Sequence, residues 1–313
     1  MAQPEWFSAA RQYATLSIKE CADALESSLL NASRADQGQE DPPRAALRSQ
    51  AGELLVMPST RTGQVGVKLV TVRDAATGSR EPRIQGIHVQ FDPRTLSPVA
   101  VFDGAALTNI RTAAVSVLAL RALARPTSRE LLVFGTGPQA EHHIAGICAE
   151  WPVERVRLAG RRLDGAVALA ERLTLRFPGV ALRPTLLSEM DDVVPEADII
   201  VCATTSASPV FTATPQDQAT VVAVGSHSPT AREVQGSLVA RAYVAVEDRS
   251  TAMREAGDLI LARAEGSLSA PIDADLSELV RGTRPPSERI RFFKSVGMAW
   301  EDAVVAARMI SRP

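Results

Sequence analysis

Six short apolar segments alternate with helix-forming segments between residues 131 and 247, and no other feature of the sequence constrains the fold as strongly. Continuous apolar strands are typical of parallel sheets covered on both faces, and helices are the usual connections between such strands. The segments are LLVFG, VRLAG, ALRPT, DIIVCAT, VVAVG and AYVAVE. We therefore predict an α/β fold built on a Rossmann-type, doubly wound parallel sheet.

The residues on either side of this region indicate a second, smaller α+β domain. Residues 1–30 have the apolar spacing of a helix, and four strand-like runs follow, each bounded by Gly, Pro or Asp. A long Ala-rich helix from Leu107 ends before Pro126, and residues 292–310 form a turn followed by an amphipathic helix. The strand-like runs, which favour an antiparallel or mixed sheet, are GELLVMP, VGVKLVTV, IQGIHVQF and PVAVFD.

A glycine-rich turn follows the first buried strand and predicts dinucleotide binding. Gly135, Gly137 and Ala140 form a GxGxxA pattern between the strand LLVF and a helix that starts near Pro138. The first glycine permits a tight turn, the second lets the backbone approach a pyrophosphate, and the small alanine lets helix and strand pack closely. The helix N-terminus would bind the phosphates through its free N–H groups. The alternative is a purely structural glycine turn.

The end of the second strand favours NADPH over NADH. An NAD-specific site usually carries Asp or Glu there, about 20 residues after the glycine turn. This chain has Arg161 and Arg162 after Gly160, and we expect no carboxylate at this point to repel a phosphate. Two guanidinium groups would attract the additional phosphate of NADP, whereas the alternative is a solvated arginine pair. NADP(H) is therefore favoured as the cofactor, and NAD(H) is possible.

Three cations outside the nucleotide-binding region are candidates for holding a substrate. Lys68 lies among apolar neighbours in a strand, where desolvation would lower the pKa of its ammonium group. Arg111 stands in the first turns of the long helix, and Arg44 precedes the first strand-like run. His227, after the fifth strand, could titrate near neutral pH. Each of the four could equally be a surface or packing residue.

Composition and charge exclude several other classes of function. The formal net charge of −2 does not support nucleic acid or an anionic membrane as the main partner. Cys21, Cys148 and Cys202 are dispersed, which suits buried thiols in a reducing compartment better than disulfides or zinc. The histidines show no metal-ligand spacing, so we expect no metal site. We see no signal peptide or membrane span and expect a cytoplasmic protein.

Several motifs together resemble the ornithine cyclodeaminase/mu-crystallin family, and the likeness extends over most of the chain. They occur in the usual order of that family, with VKLVTV and VFDGAALT fitting its N-terminal part. The more specific ones are RTAAVS (111–116), VFGTGPQA (133–140), ATTSASPV (203–210), AVGSHSPTARE (223–233) and FKSVGMAWED (293–302).

The resemblance implies a split architecture and a homodimer. Residues 1–115 and 290–313 would form a substrate-binding and dimerisation domain, and residues 116–289 the inserted NAD(P)-binding Rossmann domain. It also implies hydride exchange between a nicotinamide and the α-carbon of an amino acid or its imine. Known members include ornithine cyclodeaminases, alanine dehydrogenases and reductases of cyclic ketimines such as Δ1-pyrroline-2-carboxylate.

By position, the resemblance assigns roles to three of the four candidate residues. Arg44 and Arg111 match the arginines that bind the substrate carboxylate, where a bidentate pair would fix the α-carbon. Lys68 matches a lysine beside the reacting nitrogen, a candidate proton donor or electrostatic partner. The residues predicted to bind the cofactor are Gly135, Thr136, Gly137, Gln139, Ala140, Arg161, Arg162, Ala203, Thr204, Val224, Gly225, Ser226, Lys294, Ser295 and Gly297.

One departure from the family pattern separates the possible activities. The cyclodeaminases carry an aspartate where this chain has His227, so the expected base for oxidative deamination is missing unless the histidine replaces it. An imine that is already formed needs only a carboxylate clamp, a hydride donor and a proton, which can come from Lys68, His227 or water. We therefore predict a reductase of a small cyclic ketimine carboxylate. The alternatives are an ornithine cyclodeaminase with bound NAD, and a non-catalytic, NADPH-dependent binder of a small ligand.

Overall fold

The computed structural model describes residues 3–32, 41–73 and 82–312. The chain divides into two compact units. Unit 1 comprises Met1–Val115 and Met298–Pro313, and unit 2 comprises Ser116–Gly297. Both ends of the chain therefore belong to unit 1, and unit 2 is a continuous insertion.

Unit 1 contains a six-stranded sheet with the order β1-β6-β5-β4-β3-β2. β1 pairs with β6 in parallel, and the other neighbours are antiparallel. The strands are β1 (Glu5–Phe7), β2 (Ala45–Ser49), β3 (Gly52–Ser59), β4 (Val65–Arg73), β5 (Ile84–Phe91) and β6 (Pro98–Asp103). Helices α1 (Ala9–Thr15) and α2 (Ile18–Asn31) and the last helix of the chain, α11 (Ala299–Ile310), also belong to this unit.

The sequence predicts one helical region at the N-terminus, and the structure shows a strand and two helices there. Glu5–Phe7 form a strand, and two separate helices follow. Ser8 and Ser17 begin these helices, and Ser17 forms a reciprocal capping box with Glu20. Each serine side chain accepts a hydrogen bond from a backbone N–H of the first turn, and this fixes the break between the helices.

α11 covers one face of the unit 1 sheet. Opposite residues of paired strands lie on the same face, so Met57, Lys68, His88 and Phe102 form one row across β3, β4, β5 and β6. All four side chains are buried, and α11 packs against β3, β4 and β5. Two polar residues are therefore enclosed in an otherwise apolar layer.

Unit 2 is built on an eight-stranded parallel sheet with the order β13-β12-β14-β11-β10-β7-β8-β9. The six predicted strands are present, which confirms the Rossmann-type fold. The strands are β7 (Glu130–Phe134), β8 (Arg155–Ala159), β9 (Ala181–Thr185), β10 (Ile199–Cys202), β11 (Thr220–Ala223), β12 (Tyr243–Val246), β13 (Ala274–Asp275) and β14 (Arg291–Lys294). Its helices are α4 (Pro138–Glu150), α5 (Leu163–Thr174), α6 (Met190–Val193), α7 (Gly236–Arg241), α8 (Arg249–Glu255), α9 (Gly257–Ala264) and α10 (Leu276–Val280).

The second domain boundary differs from its expected position at residue 290. Arg291–Lys294 form β14, which pairs with β11 and β12 in the middle of the unit 2 sheet. Phe292 and Phe293 are fully buried there, so this segment cannot leave the sheet without exposing two aromatic side chains. The chain returns to unit 1 only at Met298.

Helix α3 (Gly104–Leu123) starts three residues before its predicted start at Leu107 and continues across the boundary at Val115. Its 20 residues are long enough to span a membrane and include an 18-residue window with a mean hydropathy of 1.2, although no span was predicted from the sequence. However, 78% of its most apolar window is buried inside the protein, which is typical of a core helix.

Cys21 and Cys202 are buried as expected, whereas Cys148 is partly exposed.

Candidate active site

The glycine turn of unit 2 has the geometry that its sequence predicts. Gly135 has φ +123°, and a Cβ atom at this position would lie 2.4 Å from the carbonyl oxygen of Ala203. Gly137 begins α4, and no described atom beyond its chain neighbours lies within 4 Å of the Cβ position there. Ala140 is completely buried. The turn therefore leaves bare backbone at the start of a 13-residue helix, which fits a pyrophosphate.

The predicted phosphate-reading arginines follow β8. Arg161 and Arg162 are both exposed, and Gly160 lets Thr136 of the glycine turn approach, since a Cβ atom would lie 2.8 Å from Thr136 Cγ2. The expectation that no carboxylate lies here is wrong. Arg162 donates hydrogen bonds to both carboxylate oxygens of Asp164, at 3.0 and 2.7 Å. A phosphate bound by Arg162 would have to compete with this surface ion pair.

The loops that follow β10 and β11 are joined by a carboxylate that the sequence analysis did not identify. Glu233 is fully buried, and one of its oxygens accepts hydrogen bonds from the backbone N–H and the hydroxyl of Thr204, both at 2.7 Å. The other oxygen accepts a hydrogen bond from the N–H of Gly225, at 2.7 Å. A single glutamate thereby fixes two of the segments predicted to contact the cofactor, which include Ala203, Thr204, Val224, Gly225 and Ser226.

A second buried carboxylate extends this arrangement to β14. Asp258 Oδ1 accepts hydrogen bonds from the N–H groups of Glu233 and Val234, at 2.7 and 2.9 Å. Its Oδ2 lies 3.0 Å from the ammonium of Lys294, which also donates a hydrogen bond to the carbonyl oxygen of Ser226, at 2.8 Å. We call Glu233, Asp258 and Lys294 the strand-end network. Burial raises the pKa of Glu233, while Lys294 and the hydrogen bonds from Thr204 oppose that change.

The segment after β14 is held by Glu247, at the end of β12. Its carboxylate accepts hydrogen bonds from the hydroxyl of Ser295, at 2.6 Å, and from the N–H groups of Val296 and Gly297, both at 2.8 Å. Gly297 has φ +81°, a conformation that strongly favours glycine. The predicted cofactor residues Lys294 and Ser295 thus make internal contacts that fix the backbone at the carboxyl ends of β12 and β14.

In unit 1, Lys68 and Asp302 form a buried ion pair. Their side chains are 2% and 0% exposed, and Lys68 Nζ donates a hydrogen bond to Asp302 Oδ2, at 2.7 Å, and to the hydroxyl of Thr108, at 3.3 Å. Burial lowers the pKa of Lys68 to about 8, with Asp302 opposing and Arg111 and Arg44 adding to the shift. For Asp302, burial raises the pKa, but the cations Lys68 and Arg111 outweigh it and the carboxyl stays ionised.

The Arg111 side chain is held by two carboxylates of α11, the helix that carries Asp302. Its Nη1 donates a hydrogen bond to Glu301 Oε2, at 3.0 Å, and its Nε lies 3.4 Å from Asp302 Oδ1. Both carboxylates are fully buried, and Arg111 is 5% exposed. We call Lys68, Arg111, Glu301 and Asp302 the cation cluster. Arg44 is half-buried next to β2 and acts electrostatically on Lys68, so the three predicted substrate cations belong to one neighbourhood.

The remaining candidate is His227, and the structure adds a second histidine, His88, next to Lys68. His88 stands opposite Lys68 in the pairing of β4 with β5, and its Nε2 lies 2.9 Å from Gln90 Oε1. Burial lowers the pKa of His88, so it is neutral at pH 7. His227 is half-buried on the loop after β11, in unit 2. Among the described residues, no group of three or more His, Cys, Asp or Glu side chains could hold a metal ion.

Five carboxylates that organise these sites were not predicted from the sequence. Glu301 and Asp302 lie within a quoted motif, but acidic residues in the first turn of a helix are most simply explained by the helix dipole. Glu233 ends another quoted motif, and Glu247 and Asp258 each stand next to an apolar residue, as many surface residues do. The signals were membership of a motif and adjacency to apolar segments, and neither distinguishes a buried carboxylate from an exposed one.

The parallel sheet with its glycine turn defines a fold of the Rossmann, dinucleotide-binding class. The chain belongs to the ornithine cyclodeaminase/mu-crystallin family, because the model of that family matches residues 7–312. The resemblance inferred from the sequence motifs is therefore confirmed.

Individual relatives are similar over most of their length. A Δ1-pyrroline-2-carboxylate reductase of Bacillus cereus is 36% identical over 265 residues, which is 82% of this chain and 81% of that protein. The ketimine reductase mu-crystallin of Rattus norvegicus is 32% identical over 293 residues, 91% of this chain and 89% of that protein. The structure of Thermococcus litoralis Δ1-pyrroline-2-carboxylate reductase with NADH and L-proline has a TM-score of 0.89 and 26% identity, covering 98% of this chain and 97% of that chain.

Proposed function

We propose that this protein is an NADPH-dependent reductase that converts a small cyclic ketimine carboxylate, such as Δ1-pyrroline-2-carboxylate, into the cyclic L-amino acid. The observation that carries the proposal is the buried ion pair of Lys68 and Asp302, which places a charged lysine next to Arg111 in the interior of unit 1. Two of the relatives described above are named for reduction of this imine, and a third is a ketimine reductase.

Reduction of an imine requires a hydride at carbon and a proton at nitrogen, so that the C=N π bond is replaced by a C–H and an N–H bond. The nicotinamide cofactor, when bound, supplies the hydride and is oxidised. Lys68 donates the proton to the imine nitrogen and becomes a neutral amine, which takes a proton from water before the next turnover. With a pKa of about 8, Lys68 is mostly charged at pH 7 and can serve as the donor.

Arg111 and Arg44 bind the substrate carboxylate in this proposal. A guanidinium group can align both carboxylate oxygens at once, which orients the α-carbon for hydride transfer. Glu301 and Asp302 hold the Arg111 side chain, so the orientation of its guanidinium is set before a substrate arrives. Arg44, Arg111 and the two carboxylates all belong to unit 1.

NADPH is the cofactor we propose, held by the bare turn at Gly135 and Gly137 and by the N-terminus of α4. The exposed guanidinium groups of Arg161 and Arg162 support a preference for the additional phosphate, although Asp164 competes for Arg162. The strand-end network also supports a cofactor site here, because its hydrogen bonds hold the backbone of Thr204, Gly225 and Ser226 in place.

The proposal is tested by following nicotinamide absorbance in two mixtures, NADPH with Δ1-pyrroline-2-carboxylate and NAD with L-ornithine, and by assaying proline and ammonia in both. We expect NADPH consumption with proline formation in the first mixture alone. Proline and ammonia from ornithine would make the protein an ornithine cyclodeaminase, with His227 or another group as the base. If neither mixture reacts while NADPH binds in a fluorescence titration, the protein is a binder or acts on a different imine.

We also propose a homodimer that forms through the face of the unit 1 sheet opposite α11. Pro58, Val67, Val89, Val101 and Trp6 form an apolar row across five strands on that face. Trp6 is 53% exposed and the other four residues are only half-buried, which is unusual for an apolar row of this length. Light scattering should give twice the chain mass of 33.4 kDa. Val67→Asp should halve the mass, whereas Leu175→Asp, at a position 90% exposed in unit 2, should not change it.

A further inference from the structure

The two carboxylates of the cation cluster are fixed by the start of the last helix. Glu301 and Asp302 are the third and fourth residues of α11, where the helix dipole favours negative charge. Glu301 Oε2 also accepts a hydrogen bond from the N–H of Met298, at 3.0 Å, and Trp300 donates its N–H to Asp41 Oδ2, at 3.0 Å. Backbone contacts before and after Ala299 thus set the direction in which this helix begins.

Several charged groups from different elements surround the Lys68 ammonium. Asp302 of α11 is its contact partner, and Arg111 of α3 and Arg44, next to β2, are further cations. His88 of β5 stands opposite Lys68 and is neutral at pH 7, and Thr108 of α3 supplies a neutral hydroxyl. Glu301, the other buried carboxylate, is directed to Arg111. Asp302 is therefore the one anion in contact with Lys68 among the described residues.

We propose that Asp302 is a positioning residue for the reductase reaction, a counter-ion that keeps Lys68 charged and directed by their 2.7 Å contact. The proposal rests on the proposed function, in which Lys68 donates the proton to the imine nitrogen. The contact with Asp302 is the reason why a buried lysine can stay protonated and donate that proton. Asp302 does not donate the proton itself, because the adjacent cations keep it ionised throughout.

Electrostatics determines what loss of this carboxylate would do. Burial and two neighbouring guanidinium groups all favour the neutral amine, and only Asp302 opposes them strongly. A neutral amine has no proton to give at the required point of the reaction. Without the Asp302 carboxylate, Lys68 and the two arginines would remain in place, but Lys68 would be in the wrong protonation state at pH 7.

The charge of Lys68 can be measured without any turnover, because the lysines of this chain are Lys19, Lys68 and Lys294. In protein labelled with 13C-lysine, the Cε resonance of Lys68 is assigned by its loss in Lys68→Met and is then titrated by NMR. We expect Asp302→Asn to lower the midpoint of Lys68 by about one to three pH units. Thr108→Val, which removes the neutral hydroxyl that accepts a hydrogen bond from Lys68, should change it far less. An unchanged midpoint in Asp302→Asn would overturn the proposal.

Activity with NADPH and Δ1-pyrroline-2-carboxylate provides the second measurement. In the wild-type protein, kcat/KM should fall as pH rises through the Lys68 pKa, and in Asp302→Asn this decline should move to lower pH by the same interval as the NMR midpoint. If the NMR midpoint moves and the rate profile does not, Lys68 is not the proton donor and the positioning role is wrong. If the wild-type protein does not reduce the imine, the proposed function fails, whereas the NMR titration still measures the hold of Asp302 on Lys68.

Asp302→Glu is a second variant that tests the proposal if Asp302→Asn does not fold. It keeps the negative charge, so the Lys68 midpoint should stay near the wild-type value, but the additional methylene displaces the contact. We expect kcat to fall more than KM rises, because orientation is lost while substrate binding through Arg111 and Arg44 is retained. Equal activity of Asp302→Glu and wild type, with a displaced Lys68 midpoint, would contradict the proposal. Circular dichroism melts accompany each variant.

Discussion

The ammonium of Lys294 lies 3.0 Å from Oδ2 of Asp258, and both side chains are completely buried. Lys294 ends β14, and Asp258 stands at the start of α9, so the pair joins a central strand to a helix of unit 2. The place of Lys294 in the motif FKSVGMAWED predicts a position in the cofactor site. Its two contacts, Asp258 and the carbonyl oxygen of Ser226, indicate that it fixes the strand-end network.

Lys294→Met should therefore lower the stability of the protein. Removing one partner of a buried ion pair leaves the other charge uncompensated, which costs about 3–5 kcal/mol. Urea unfolding monitored by circular dichroism measures the loss. Lys19→Met is the matched control, since Lys19 pairs with Asp23 on the exposed face of α2 and such pairs contribute roughly 0.3–0.5 kcal/mol. Similar effects of the two substitutions would exclude a structural role for Lys294.

Arg111→Lys should raise KM and lower kcat for the imine together. A lysine ammonium is a point charge and cannot align two carboxylate oxygens as a guanidinium does. It would also lose one of the two contacts to Glu301 and Asp302, so thermal melts must confirm that the variant is folded. Steady-state kinetics with Δ1-pyrroline-2-carboxylate is the measurement. A kcat/KM equal to that of the wild type would remove Arg111 from the substrate site.

Replacement of Arg161 and Arg162 by alanine should weaken the binding of NADPH and leave that of NADH unchanged. Only NADPH carries the additional phosphate that the two guanidinium groups are proposed to contact. Asp164→Asn should have the opposite effect, because it releases Arg162 from its bidentate ion pair and removes a negative charge near the phosphate. Fluorescence titration with each cofactor tests both variants. Equal weakening of NADPH and NADH would mean that the arginines do not distinguish the cofactors.

The protein should lose stability as pH falls from about 6.5 to 4. His143 is fully buried on α4, where its Nε2 lies 2.8 Å from Ser116 Oγ, and burial lowers its pKa to about 4. The unfolded chain binds a proton on His143 below pH 6.5 and the folded protein does not, so folding becomes less favourable by roughly 3 kcal/mol at pH 4. Urea unfolding at a series of pH values measures this slope. His143→Gln should have a shallower slope, and parallel slopes would show that other groups cause the acid sensitivity.

Local patterns in the sequence were sufficient for most of the fold. The six apolar segments became parallel strands, and the glycine turn has the backbone conformation that its residues require, because both depend on neighbours along the chain. The short strand Glu5–Phe7 was missed, since three residues carry too little periodicity to outweigh the helices that follow. β14 was assigned to the wrong unit, because its place between β11 and β12 is a property of the whole sheet.

The sequence by itself determined the class of fold, the dinucleotide turn and the identity of the cations Lys68 and Arg111. Only the tertiary structure decided their partners. Asp302 is 234 residues from Lys68 along the chain, and it becomes a contact because α11 packs on the sheet face where Lys68 points. The sequence shows a carboxylate at a helix start in the same way whether it is exposed or buried. Its desolvation, and therefore its effect on the charge of a neighbouring lysine, depends on what the folded chain places around it.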